Sequence, residues 1–120
     1  GYLFGRLNVI ERIVAFAATE GQVKQAAAAT DAICGLTGVH AATAAGAPVD
    51  VLKSGIRDVT FGGAVEQGDP LTSDANGKAI KAVPAAGAQI RIVGYAEVDG
   101  EDGSIGQMSV APGIITGASA

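Results

Sequence analysis

Residues that carry chemistry are scarce in this chain. Cysteine occurs once (Cys34), histidine once (His40), tryptophan not at all, and aromatics make up 4 % of the 120 residues. A single cysteine excludes an internal disulfide framework and fits synthesis in a reducing compartment. As a small apolar residue, Cys34 is read as packing material, not as a reactive thiol. A single histidine excludes a His-pair metal site and a Ser-His-Asp set with a spare base. His40 itself, at the end of a strand before Ala41-Ala42-Thr43, is read as a solvated loop residue. Basic residues are also few. Eight Lys and Arg against twelve Asp and Glu give a net charge of −4, and no five-residue window is dominated by Lys and Arg. That speaks against a nucleic-acid partner, which needs a basic patch. Long apolar runs are missing too: residues 13–18 fall far short of the ~20 needed to cross a bilayer. Arg6, Glu11 and Arg12 interrupt any signal-peptide core. A soluble protein with no membrane partner is expected.

What the chain does have is glycine, alanine and turn chemistry. Its length sets one domain. Apolar residues are 48 % of it, but many are Ala, and eighteen Gly add backbone entropy that folding must overcome. The core is therefore thin, and burial against other chains is expected to supplement it. The clearest stretch is residues 68–80. Pro70 fixes its own φ and biases Asp69 toward an extended conformation. Asn76-Gly77 accepts the positive φ angles of a tight turn. The stretch reads as strand, turn, strand. Its opening, Gly three residues before a branched apolar residue, recurs at Gly46/Val49, Gly68/Leu71 and Gly87/Ile90, at uneven spacing. This is hairpin grammar, not a solenoid.

Taken in order, residues 1–11 form an N-terminal arm with Tyr2, Leu3, Phe4 and Leu7, which either packs on its own fold or docks on a partner. Residues 9–30 suit helix or strand; two strands joined at Glu20-Gly21 are preferred over an Ala-rich helix on residues 23–29. Further on the β signal is firmer. A short apolar strand covers residues 33–39. Val49 and Val51 alternate with Asp50, and Val59 and Phe61 face away from Asp58 and Thr60. Ile90, Ile92, Gly94, Ala96 and Val98 point in while Gln89, Arg91, Tyr95 and Glu97 point out, with Val93 breaking the pattern. Met108 and Val110 resume it after the acidic loop 99–103. Eight or nine short strands with regular turns predict an all-β fold, a small single-domain sandwich or barrel of short antiparallel strands. Its β domain spans residues 12–112, with a small-residue tail over 113–120.

A search for chemistry yields little. Asp99, Glu101 and Asp102 fail the EF-hand pattern, since its fifth position would be Gly103 and no helices flank it. Asp69 and Asp74 stand beside turn residues, where Asp side chains bond nearby backbone N–H groups. Gly100, Gly103 and Gly106 match no nucleotide fingerprint, and Gly77-Lys78 is followed by Ala79, not by the hydroxyl of a phosphate loop. There is no Gly-x-Ser-x-Gly elbow. No catalytic, metal-binding or cofactor-binding residue is assigned, no cofactor is expected, and an enzyme is improbable.

Residues 32–37 (AICGLT), 44–51 (AAGAPVDV), 62–79 (GGAVEQGDPLTSDANGKA) and 92–96 (IVGYA) resemble the capsid cement, or head decoration, family of tailed phages. The resemblance runs over residues 12–112 and is most specific at 62–79. Its motifs are turns and strands, and the aromatic segment before Arg12 has no counterpart in it. The resemblance implies a virion protein made in the host cytoplasm and added to the outside of an expanded shell. There it would bridge major capsid protein subunits as a homo-oligomer, a trimer over local three-fold positions. Tyr2, Leu3, Phe4 and Leu7 are then the expected capsid contacts. Two other readings remain: a small β-barrel ligand-binding module, and a hydrolase using Asp69 and Asp74.

Overall fold

The computed structural model describes residues 2–4, 12–18, 20–37, 48–49 and 51–117. All eleven elements among them are β-strands. The first sheet contains β1 (Tyr2–Phe4), β2 (Ile13–Phe16), β3 (Gln22–Gln25), β4 (Ile33–Thr37), β5 (Pro48–Val49) and β6 (Val51–Leu52), in the order β5-β1-β3-β2-β4-β6. Its pairs are antiparallel except β1 with β3. The β2–β3 hairpin turns at Glu20-Gly21, where Gly21 has φ +82°, so strands occupy the stretch that also suited a helix. The two ends of this order, β5 and β6, are separated in sequence by residue 50 alone. Two peptide units span at most about 7 Å, so the sheet must curl until its edges meet.

The second sheet contains β7 (Ile56–Thr60), β8 (Pro70–Ser73), β9 (Ala79–Lys81), β10 (Gln89–Ala96) and β11 (Ile105–Thr116), in the order β7-β11-β10-β8-β9. All its pairs are antiparallel. The long β10–β11 hairpin is its spine. The ladder runs Gln89↔Thr116 to Ile92↔Gly113, then slips and resumes at Gly94↔Val110. Three steps on β11 thus oppose two on β10, a bulge beside Pro112, which has no N–H to give a ladder. Ile92 and Val93 are both buried here, which accounts for the position that broke the alternation. Gly94 sits at the resumption, and a Cβ there would strike the Ser109 carbonyl oxygen and come within 2.9 Å of the Ala111 nitrogen.

One shared core joins the sheets. Ile13, Ala15, Ile33 and Leu36 of the first pack in a single cluster with Val59, Leu71, Val93, Met108 and Val110 of the second and with Phe61 beyond β7. Phe61 is the largest fully buried side chain among the described residues. The glycines at positions 100 and 106 make its seat, since a Cβ on either would run into the Phe61 ring. Thr60, read from the sequence as outward-facing, is instead 8 % exposed. At this end of β7 the 100–104 loop folds over the strand, as Phe61 N–H donates to Ser104 O and Gly103 N–H to Phe61 O, each 2.8 Å. Val98, read as inward-facing, is 39 % exposed because it lies past the end of β10. β11 runs on to Thr116, four residues beyond Pro112.

Gly94→Ala should destabilise the fold by about 2–3 kcal/mol, because the added methyl meets backbone atoms that cannot move independently. Chemical denaturation of the two proteins measures this directly.

Candidate functional site

The hairpin corner of residues 68–80 is the most elaborately bonded part of the chain. β8 and β9 pair Leu71↔Lys81 to Ser73↔Ala79, and Gly77 turns the chain at φ +72°. The Asp74 Oδ1 atom accepts from the N–H groups of Asn76 (2.8 Å) and Lys78 (3.0 Å). The corner then reaches across to the other sheet. Ile13 N–H donates to the Gly77 carbonyl at 2.7 Å, and Arg12 Nη1 donates to the Asn76 carbonyl at 3.1 Å. Gly77 itself is buried. The turn therefore serves as a weld between the sheets, a role that its local sequence signal did not announce.

Asp69 is engaged too: Oδ2 accepts from Glu66 N–H at 2.9 Å, and Oδ1 stands 3.8 Å from Lys81 Nζ. Each of these two carboxylates thus holds its own turn, and the geometry gives neither a free position for acid–base work. In the acidic loop, Asp99 Oδ1 accepts from Gln67 N–H (2.9 Å), while Asp102 lies 3.8 Å from Lys78 Nζ. Among the described residues no group of three or more His, Cys, Asp or Glu side chains is placed to hold a metal ion. Cys34 is buried with its thiol directed at the Val14 carbonyl (3.6 Å), and burial pushes its pKa above the usual thiol value. Of the expected contact residues, Tyr2, Leu3 and Phe4 form β1, whose backbone is flanked by β3 and β5. Leu7 and His40 lie outside the described residues, as does the 44–47 part of the recurring turn motif.

On the outer side of the second sheet, Ile56, Ser109, Tyr95 and Pro70 come into one row across four strands. Ile56 and Tyr95 are 58 % and 42 % exposed. In the next row Asp58 stands opposite Gln107, whose carbonyl accepts from Glu97 N–H, and Ser109 Oγ donates to the Glu97 carboxylate at 2.9 Å. Residues 55–120 hold eight of the twelve acidic residues but only four of the eight basic ones, so the whole net charge lies there. Three of those four cations are occupied: Lys78 and Lys81 by Asp102 and Asp69, and Arg57 Nε by the Ser54 carbonyl. The fourth, Arg91, lines an open cleft of about 150 Å³ with Thr30, Gln89, Ile90 and Ile114. The alternation of β10 disclosed that Tyr95 faces outward; Arg91, read the same way, is half-buried in the cleft. Their neighbours come from β7, β11 and the loop before β4, and pairing at that range leaves no local signal.

The architecture defined here is a two-sheet, all-β domain built around one long hairpin. It resembles the crystal structure of the head fiber gp8.5 N base of bacteriophage phi29, with a TM-score of 0.66 over 92 % of this chain and 90 % of that one, at 15 % identity. No family model and no curated protein matches the sequence.

Removing the Asp74 carboxylate should cost about 1.5–3 kcal/mol in the Asp74→Ala protein, the range for a hydrogen bond to a charged group, and denaturant titration reads it. Cys34 should resist alkylation in the native protein and react once it is unfolded. Its folded pKa is raised, so its contribution to stability is complete below the unfolded thiol pKa and is lost as pH rises above it. Thiol labelling across an alkaline pH series, with and without denaturant, checks both statements.

Proposed function

We propose that this chain is a non-enzymatic structural protein of a phage head, seated on the capsid exterior and bridging major capsid protein subunits. The observation that carries the reading is the near full-length likeness of its fold to a phage head fiber base. The expected resemblance over residues 12–112 to head decoration proteins points to the same class of head-associated protein, while no family model or curated protein matches the sequence. Asp69 and Asp74 are committed to turns, which weakens the hydrolase reading.

The mechanism is binding linkage. A protein that binds the expanded shell but not its precursor stabilises the expanded state by RT ln(1 + [L]/Kd), roughly 4 kcal/mol per site when free protein exceeds Kd a thousandfold. An oligomer, which we take to be a trimer, gains further by holding several contacts at high effective concentration. Residues 1–11 are retained as the proposed docking segment, with Tyr2, Leu3, Phe4 and Leu7 as capsid contacts. Because β1 already pairs on both sides, docking there must use side chains and not an added strand.

Alanine at Tyr2, Leu3, Phe4 and Leu7 together should lower occupancy on expanded capsids at least tenfold in co-sedimentation, with a smaller proportional effect on the unfolding midpoint. Unchanged occupancy would remove the segment from the interface.

A further inference from the structure

We propose that copies of this chain join head to tail, the acidic loop at the tip of one β10–β11 hairpin seating in the Arg91 cleft of the next. The inference rests on reading the protein as an oligomeric shell component, and it names the surfaces that meet.

The cleft first. Among the described residues Arg91 makes no ion pair and no side-chain hydrogen bond, although it is half-buried. Its backbone is held in place, with Arg91 N–H donating to the Ala29 carbonyl at 2.8 Å. Thr30 and Gln89 add neutral polar groups beside the guanidinium, and Ile90 and Ile114 add apolar wall, Ile114 being 57 % exposed. This is a fitting receptor for a carboxylate carried on a small loop, since a guanidinium binds carboxylates with a planar fork of donors. The flank is open as well. Among the described residues β7 pairs with β11 over Ile105–Ser109, and beyond the Val110 N–H bond to Gly55 the ladder partner of β11 is β10.

The loop supplies what the cleft lacks. Residues 97–104 carry Glu97, Asp99, Glu101 and Asp102 and no basic residue. Glu97 accepts from Ser109, Asp99 accepts from Gln67 N–H, and Asp102 stands 3.8 Å from Lys78 at 72 % side-chain exposure. Exposed Glu101 is thus the carboxylate with most freedom to meet the guanidinium, and Asp102 would exchange a loose pair for it. They are anchored as a formed projection: Val65 and Gly100 exchange two backbone hydrogen bonds of 3.0 Å, and Glu101 N–H and the Glu101 carbonyl both bond the Ser104 hydroxyl. Val98 and Ile105, 39 % and 59 % exposed, flank the acidic residues and would meet the Ile90–Ile114 wall. Cleft and loop cannot meet within one molecule. They stand eight residues apart along the hairpin, about 26 Å at the rise of a β-strand. Complementary patches at opposite ends of one molecule make a heterologous contact, which closes into a ring when the rotation permits.

Sedimentation of the purified full chain at tens of micromolar tests this. Wild type should form a discrete oligomer. Arg91→Glu should weaken it at least tenfold while retaining the native circular dichroism spectrum, and so should Glu101→Arg with Asp102→Arg. Combining all three substitutions should restore the oligomer, a rescue that a merely structural role for Arg91 would not give. An Arg91→Glu protein that assembles like wild type, loss without rescue, or a wild type that stays monomeric would each overturn the contact. Capsid co-sedimentation of the same proteins reports on the head-protein reading separately, because single copies can still bind a shell.

Discussion

The placement of one aromatic ring governs much of this structure. Phe61 is fully buried in a chain that has only three phenylalanines, two tyrosines and no tryptophan. Its ring lies where Gly100 and Gly106 leave no side chain. Its backbone bonds Gly103 and Ser104, it bridges to Ala79, and the following Gly62 N–H donates to the Ala79 carbonyl. A single residue thus gathers the end of β7, the start of β9 and the tip of the long hairpin. Truncating such a side chain typically costs about 3–5 kcal/mol, and here it would also release the acidic loop from its seat. Scarcity of aromatics makes each one matter more, and the neighbouring glycines are the complement that one large ring requires.

The second constraint is the corner at residues 74–77. Asp74 fixes the turn, and the turn's carbonyls receive Ile13 N–H and the Arg12 guanidinium from the first sheet. Two small sheets with an alanine-rich interface are joined by polar bonds as well as by burial. Curling brings the edges of the first sheet together at residue 50, and the Phe61–Ala79 bridge ties the edges of the second at one corner. A body held this way loses little freedom when it binds, which would favour affinity at the contacts proposed for it.

Much of this was legible from residue order. The all-β class, the Glu20-Gly21 and Asn76-Gly77 turns and the burial of Ile92, Gly94 and Ala96 along β10 follow from short-range chemistry: glycine at positive φ, proline at strand starts, alternation of period two. Val93 looked anomalous because its explanation lies on another strand, in the slip beside Pro112. The end of β7 misled for the same reason, since a loop forty residues later covers Thr60. The weld at Gly77 and the curl that joins β5 to β6 depend on pairings across tens of residues, which no window of sequence contains. Arg91, which the alternation of β10 reads as facing outward, is half-buried beside Thr30, and its lack of a partner shows only once the other cations of that half are seen to be engaged.

The proposed reading as a phage head protein depends on where this two-sheet domain sits. Electron cryomicroscopy of expanded capsids incubated with the full chain tests this most directly. The account predicts ordered external density of the two-sheet domain at sites where neighbouring capsid subunits meet. Bare shells at saturating protein, or density confined to the inner surface, would contradict it.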